Sequence, residues 1–258
     1  MGIYLGWDVG VKNLAYCLMD KDHTILKWGL IDLSNKREYH CGSSNKNGKK
    51  CTCKAHHINP LTHVLYCNRH AKGIDSIKPL FECFKCKQKA KKINLKETNF
   101  YCCKHAPQDE VCEDVMTNKN VAKTSLNKIG NMLVNKLDAI PELLTATSIS
   151  IENQPCLKNP TMKSIQIMVY TYFLIRLKNK KVSLKMMSAR NKLKFDIVTE
   201  ESKKIDKITN RYQRNKKMAV EYCRYFVKGE WGDYFENCGV KKDDYADSYL
   251  MTRYDVDH

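Results

Sequence analysis

No apolar run in the 258 residues approaches the roughly 20 needed to span a bilayer. The opening segment, MGIYLGWDVG, has neither the basic flank nor the long apolar stretch of a secretion signal. Ile3-Tyr4-Leu5-Gly6, following Gly2, reads as strand and not as a lipid-bearing tail. The expectation is a soluble, intracellular protein with no membrane partner. Glycine is scarce, with 11 residues and no glycine-rich cluster, which argues against a nucleotide cofactor cradled by phosphate loops. Acidic residues are also few. Asp and Glu total 28 against 45 Lys and Arg, a formal charge of +17. Such an excess predicts a polyanionic partner, nucleic acid first, because each neutralised phosphate releases condensed counterions.

What is abundant is cysteine. The 13 residues are an odd number, most of them between Cys41 and Cys112, and no secretion signal accompanies them. A disulfide framework is therefore disfavoured and metal ligation favoured.

Ile3–Asp8, Leu14–Met19 and Thr24–Leu33 read as three strands, with a turn at Val9-Gly10-Val11-Lys12-Asn13 and hairpin-like connections. From about Tyr39 to Pro107 the chain turns rich in Cys, His, Lys and Asn and shows almost no helical or strand periodicity. Periodicity returns with a helix over Val121–Ile140 and a strand at Thr147–Glu152. A helix follows at Thr161–Leu177, apolar nearly all round and so expected to be buried on more than one side. Val182–Met187 is a fifth strand. After a basic stretch come a helix over Tyr212–Phe226, a break at Gly229 and a last helix over Lys242–Tyr254. The plan is α/β, a mixed five-stranded sheet flanked by helices, with residues 1–38 and 109–258 as the core and 39–108 as an insertion.

The insertion holds one pattern twice. Cys41, Cys51, Cys67 and His70 form the first copy; Cys83, Cys86, Cys102 and His105 form the second. In each, 15 residues separate the second and third cysteines, a Lys-Ala pair follows the second, and Tyr precedes the third. The repeat also selects ligands, since Cys53 and Cys103 fall out of register. Three thiolates and one imidazole make a closed tetrahedral shell for structural Zn²⁺, two ions per chain, with no open position for chemistry. Lys46, Lys49, Lys50, Lys54, Arg69, Lys85, Lys87, Lys89, Lys91 and Lys92 would face phosphate, or the knuckles simply brace the fold.

Four carboxylates stand out by position. Asp8 and Glu152 end strands, and Asp244 and Asp247 lie three apart on one face of the last helix. Each alone has an ordinary structural role: turn initiation for Asp8, a cap or ion pair for Glu152, and a helix N-terminus for Asp243 and Asp244. Converging without compensating Lys or Arg, they would repel one another until divalent cations sat between them. Two Mg²⁺, with Mn²⁺ able to substitute, suit such hard oxygen ligands and would clamp a scissile phosphate.

GWDVGVKNLAY, SISIENQP and KKDDYADSY, in this order, resemble the three acidic motifs of RuvC-like Holliday junction resolvases, and most nearly those of poxviruses and related large DNA viruses. The resemblance spans roughly residues 1–35 and 115–255. It implies an RNase H-like fold and a magnesium-dependent endonuclease, a crossover junction endodeoxyribonuclease of DNA recombination and repair. It also implies a homodimer that nicks two symmetric strands of branched DNA. Asp8, Glu152, Asp244 and Asp247 would be the catalytic metal ligands, with Asp243 an adjacent acid that could compete. Lys192, Lys216 and Lys217 correspond to phosphate-contacting lysines, and Lys12 joins them as a DNA-binding residue. For a viral chain the location would be the host cytoplasm or nucleus, at the site of viral replication. The helix Thr161–Leu177 is a candidate for part of the dimer interface, or else is the central core helix. The zinc insertion departs from the shorter poxvirus proteins.

Other readings have distinct consequences. Asp8-Val9-Gly10 also opens actin-like and hexokinase-like ATPases, but those need further glycine-rich segments. A zinc-bearing adaptor with an inactive core would bind nucleic acid without cutting it, and an RNase H-type enzyme would prefer RNA–DNA hybrid.

Overall fold

The computed structural model describes residues 2–34, 39–94, 96, 98–115, 124–157, 159–239 and 241–258. Two compact units result, Met1–Ser34 with Asn120–His258, and Asn35–Lys119.

In the first unit the strands are β1 (Ile3–Asp8), β2 (Leu14–Asp20) and β3 (Ile25–Ile31), later joined by β10 (Ser148–Glu152) and β11 (Ser183–Met187). Among the described residues, the second unit holds six short strands: β4 (His57–Ile58), β5 (Leu65–Tyr66), β6 (Lys78–Pro79), β7 (Lys92–Asn94), β8 (Asn99–Tyr101) and β9 (Cys112–Asp114). The helices are α1 (Leu126–Asp138), α2 (Pro160–Arg176), α3 (Glu200–Asp206), α4 (Arg211–Phe226), α5 (Gly229–Asn237) and α6 (Lys242–Asp257). The first unit is thus a mixed α/β structure whose five strands run in the order β11-β10-β1-β2-β3. β1 is antiparallel to β2 and parallel to β10, and β10 is parallel to β11.

Period-two alternation assigns each strand residue to a face. Leu5 and Trp7 of β1, Leu14, Tyr16 and Leu18 of β2, and Ile149 and Ile151 of β10 form one core with Ile129, Leu133 and Leu137 of α1 and Ile165, Val169 and Phe173 of α2. The ring of Trp7 lies 5.9 Å from that of Phe173. On the opposite face Cys17 and Met19 pack with Trp28, Met218, Tyr222, Phe235, Tyr249 and Leu250 of β3 and helices α4 to α6. Gly6, Ser148 and Ser150 belong to this second face, under α6. Asp8 and Glu152 follow in the same alternation. Gly6 pairs with Ser150 across the parallel β1–β10 ladder, so the register brings Asp8 and Glu152, two residues on, to neighbouring strand ends.

α6 lies close against the sheet because Gly6 has no side chain. A Cβ there would stand 2.8 Å from the Thr252 backbone nitrogen. Thr252 Oγ1 donates to the Cys17 carbonyl at 3.0 Å. Trp28 Nε1 donates to the Tyr245 carbonyl and Ser248 Oγ, each at 3.2 Å. Near the helix C-terminus, buried Asp255 accepts from Ser148 Oγ at 2.9 Å and Ser150 Oγ at 2.7 Å, and pairs with Lys185. These anchors fix the rotation of α6 and hence the direction of Asp244 and Asp247. At the other end of β1 the turn is equally tight, since a Cβ on Gly10 would meet the Asn13 carbonyl oxygen at 2.6 Å.

Several expectations are corrected. The insertion is not free of regular structure: β4–β6 and β7–β9 form two three-stranded sheets. α3 and α5 were not foreseen; Gly229, with φ of +61°, begins a helix as well as ending a connection. The first helix begins at Leu126, capped by Ser125, and residues 121–123 of the expected span lie outside the described ones. α2 is not buried all round. Ile165, Val169 and Phe173 are covered, whereas Ile167, Leu174 and Ile175 are 47 %, 55 % and 61 % exposed. Among the described residues, no helix is long and apolar enough to cross a membrane.

Candidate metal centres

The carboxylates of Asp8, Glu152 and Asp247 meet around one cation that sequence reasoning had not put there. Lys192 sits in a short 3-10 turn, Ala189–Leu193, just after β11. Its Nζ lies 2.8 Å from Asp8 Oδ1, 2.9 Å from Asp247 Oδ2 and 3.3 Å from Glu152 Oε2. The residue is only 4 % exposed. Two expectations change with it. The carboxylates do not converge without a compensating cation, and Lys192 lies buried among them instead of on a phosphate-facing surface. The physical reason is the cost of burying like charges, which an ammonium with three donors can offset at once.

Burial lowers the Lys192 pKa, but the charges of Asp8, Asp247 and Glu152 outweigh it and hold the ammonium well above the usual lysine range. Burial raises the Asp8 carboxyl; Lys192 and a hydrogen bond with Glu152 reverse this, so Asp8 stays ionised. Glu152 takes the opposite course. Burial, the hydrogen bond with Asp8 and the Asp8 charge push it up to about 9 against the pull of Lys192. Asp247 is raised to about 6, chiefly by burial. The Lys192 ammonium, paired with all three carboxylates, is the cation that offsets their charge.

Asp244, one turn before Asp247, shares no bond with Lys192. Its Oδ2 is buried without a hydrogen-bond partner. Burial and the charges of Asp243 and Asp8 raise it to about 6. Asp243 itself pairs with Lys216 of α4, whose ammonium also lies over the Tyr212 ring. A cavity of about 200 Å³ is lined by Glu152, Lys192, Tyr212, Asn215, Lys216 and Asp247. Lys217 is exposed on α4 and lines a larger cavity of about 560 Å³ with Lys216, Arg224, Lys241 and Lys242. Lys12 is exposed in the turn after Asp8.

Gln166 is a further positioning residue. It is fully buried in α2, and its Oε1 accepts from the Gln154 backbone N–H at 2.8 Å and from Lys163 Nζ at 3.1 Å. Lys163 also reaches Asn153 Oδ1 at 3.0 Å. The segment leaving Glu152 is therefore fastened to α2. The only sequence signal for this was a polar residue inside an apolar helix.

The donor chemistry of the carboxylate cluster fits a hard divalent ion. The donor atoms are all carboxylate oxygens; they are gathered on the Lys192 ammonium and not all within 4.8 Å of one another, and a buried carboxylate oxygen of Asp244, on the helix of Asp247, has no hydrogen-bond partner.

The second unit presents a different donor set. Among the described residues, the groups of three or more candidate ligands with atoms all within 4.8 Å of one another are two: Cys41, Cys51, Cys67 and His70, and Cys83, Cys86, Cys102 and His105. His70 Nδ1 lies 3.3 Å from Cys41 Sγ and 3.6 Å from Cys67 Sγ. His105 Nδ1 lies 3.6 Å from Cys83 Sγ and 3.4 Å from Cys102 Sγ, and Cys86 Sγ stands 3.9 Å from Cys102 Sγ. A tetrahedron with ~2.3 Å zinc–sulfur bonds has edges of about 3.8 Å, so both sets can bind zinc with little adjustment. Burial raises the Cys83 thiol, but hydrogen bonds from the Cys102 and Lys85 backbones and from His105 bring it down to about 6, towards the thiolate a metal needs.

The internal repeat is also a structural one. Cys41 N–H donates to the Cys53 carbonyl as Cys83 N–H does to Gln88, and Ala55 N–H donates to Tyr39 as Ala90 N–H does to Phe81. Cys53 and Cys103, outside the register, are exposed.

No family model matches the chain. It is similar to an uncharacterized protein of Acanthamoeba polyphaga mimivirus, 29 % identical over 305 aligned positions that cover 97 % of this chain and 73 % of the relative. Among solved structures it aligns with the yeast mitochondrial Holliday junction resolvase Ydc2 at a TM-score of 0.41 and 16 % identity, covering 98 % of this chain and 78 % of that one.

Proposed function

We propose that the chain is an RNase H-like, divalent-metal-dependent endonuclease that cuts branched DNA and resolves four-way junctions. The observation that carries this reading is the meeting of Asp8, Glu152 and Asp247 at one point, from two parallel strand ends and a helix far apart in sequence. A carboxylate cluster beneath a strongly basic chain suits phosphodiester hydrolysis, because the surplus charge of +17 holds the polyanion while the acids hold metal. The three acidic motifs and their order support the same reading.

Asp8, Glu152, Asp244 and Asp247 would hold two Mg²⁺, or Mn²⁺, which when bound activate water and stabilise charge on the scissile phosphate. Around them the chain's own groups orient and balance charge. Lys192 neutralises Asp8 and Asp247, Gln166 fixes the strand end at Glu152, and Lys216, Lys217 and Lys12 meet phosphates. The two Cys3His sets hold structural zinc. A second copy of the chain, packed on the open face of α2, would supply the second active site that a two-fold symmetric junction requires.

The test is a cleavage assay on a four-way junction, a Y-fork, duplex DNA and RNA–DNA hybrid. We expect the junction to be nicked with Mg²⁺ or Mn²⁺ and not with EDTA, and Asp8→Asn and Glu152→Gln to bind the junction without cutting. Cleavage surviving both substitutions would refute the mechanism. Tight binding without any cleavage by the unaltered protein would make it an adaptor, and preference for hybrid would make it an RNase H.

A further inference from the structure

The two knuckles share a ligand pattern but differ in the segment between their first two cysteines. Two residues separate Cys83 from Cys86, and nine separate Cys41 from Cys51. The extra residues form a hairpin. Cys51 N–H donates to the Ser43 carbonyl at 2.8 Å, Asn45 N–H to Lys49 at 2.8 Å, and Gly48 N–H to Asn45 at 2.9 Å. Gly48, with φ of +76°, closes the turn where a side chain would be strained. Lys46, Asn47, Lys49 and Lys50 are all exposed on it.

The hairpin is held to the rest of the knuckle. Arg69, immediately before the ligand His70, donates from Nη2 to Asn45 Oδ1 at 2.5 Å. Between them lies a groove of about 850 Å³, lined by Ser44, Asn45, Lys46, Asn47, Thr52 and Arg69 among others. Its lining mixes cations with short amides and hydroxyls and also takes in Cys51, Cys53 and His70.

Charge separates the two knuckles as well. Residues 39–74 carry six Lys and Arg and no Asp or Glu, whereas residues 75–115 carry eight against seven. Among the described residues, the first knuckle joins a stretch of sequence without Asp or Glu to this groove.

We propose that the first knuckle is a dedicated nucleic-acid-binding site, in which the Ser43–Cys51 hairpin and Arg69 grip a phosphodiester backbone, and that the second knuckle is structural. The chemistry selects this partner. Lysines spaced along a hairpin match successive phosphates, Arg69 offers a fork of N–H donors, and Ser44, Asn45, Asn47 and Thr52 can bond sugar and base edges. The groove is larger than a lone phosphate needs. The proposal rests on the zinc reading of the Cys41 set and is independent of cleavage.

The experiment compares two charge-reversed full-length proteins, Lys46→Glu/Lys49→Glu/Lys50→Glu and Lys85→Glu/Lys87→Glu/Lys89→Glu. Binding to fluorescent DNA and RNA strands is read by anisotropy over a salt series. Near 0.15 M salt the screening length is about 8 Å, so distant charges contribute little. The first variant is expected to lose about tenfold or more in affinity, with the salt slope shallower by roughly 2 to 3; the second should stay within about twofold. Equal losses in the two variants, or no loss in the first, would overturn the proposal. So would polyglutamate competing as well as nucleic acid. Loss on DNA alone or on RNA alone supports it and names the strand. Zinc content is measured for each protein; if the glutamate triple loses zinc, Lys46→Ala/Lys49→Ala/Lys50→Ala is read in its place, and unchanged affinity in that zinc-replete variant overturns the proposal.

Discussion

Lys192 Nζ stands 2.8 Å from Asp8 Oδ1, a buried ion pair whose ammonium is shared with Asp247 and Glu152. Removing the ammonium alone would leave buried carboxylates facing one another, at a cost of about 3–5 kcal/mol. Lys192→Met should therefore lower the melting temperature by on the order of 10 °C in the absence of divalent ions. Because the vacated oxygens then seek another cation, Mg²⁺ should raise the melting temperature more in the variant than in the unaltered protein. Thermal unfolding with and without magnesium checks both. A variant as stable as the parent, and as indifferent to magnesium, would show that Lys192 does not govern the charge balance of the cluster.

Gly6 sets how closely α6 approaches the sheet. A methyl group there must push back the Thr252 backbone, 2.8 Å from the added carbon, and with it the helix carrying Asp244 and Asp247. Gly6→Ala is expected to destabilise the fold by about 1–3 kcal/mol, as overpacking does. It should also slow single-turnover junction cleavage by roughly 100-fold, since a displacement near 1 Å is enough for that. Urea unfolding and cleavage rates measured together separate the effects. A normal rate would mean that the height of α6 does not matter.

Much of this arrangement was readable from residue order. Strand ends at Asp8 and Glu152, and the three-residue spacing of Asp244 and Asp247, put acids on one side of a sheet and one face of a helix. The repeat of Cys, Lys-Ala, Tyr-Cys and His picked out the eight Cys and His residues that cluster so as to be able to bind zinc, over Cys53 and Cys103. Lys192 was not readable as a cluster member, because in a chain with 45 basic residues one lysine in a short turn carries no periodic signal. Gln166 was hidden similarly, a polar residue inside a helix whose pattern suggested only burial. The two- and three-residue strands of the second unit are too short for alternation to register. The open face of α2 was misread because hydrophobicity counts apolar residues without saying what covers them.

Glu236 links α5 to its neighbours through Arg224 Nε at 2.7 Å and Lys242 Nζ at 2.5 Å. Hydrogen bonds from Arg224 and Lys242 hold its carboxyl down at about 2, below the ordinary 4.5. A depressed carboxylate contributes stability that is present above the unfolded pKa and lost as pH falls through the folded one. The pairs are half-exposed, so solvent screening limits the contribution to about 1 kcal/mol or less. The stability difference between the parent and Glu236→Gln should be constant above pH 5 and vanish between about pH 4.5 and 2. A difference that persists at pH 2, measured by urea unfolding, would assign the effect to packing instead.

The two zinc sites should be separable by substitution. Cys67→Ser removes a thiolate from the first set and should lower bound zinc from two ions per chain to one, with loss of structure confined to the first knuckle. Cys53→Ser and Cys103→Ser alter exposed residues outside both sets and should leave two. Elemental analysis after chelator-free purification reads the stoichiometry, and hydrogen exchange reads which segment loosens. Absence of zinc from the parent protein would refute the assignment.

On the proposed resolvase reading, the exposed side of α2 would bear on how two cuts are coordinated. Leu174 and Ile175 are more than half exposed, and Ile175 lines a groove of about 420 Å³ with Leu133 and Val134 of α1 and Ile167 and Met168 of α2. Apolar surface of this kind is stabilised when a partner covers it, and a second copy would do so symmetrically. Leu174→Glu/Ile175→Glu places like charges across such an interface while leaving the buried face of the helix intact. Light scattering should then show a dimer for the parent and a monomer for the variant. On a four-way junction the parent should release paired nicks, and the variant single nicks at a rate set by independent encounters. A variant that remains dimeric and still cuts in pairs would remove α2 from the interface, and a monomeric parent would remove the dimer itself.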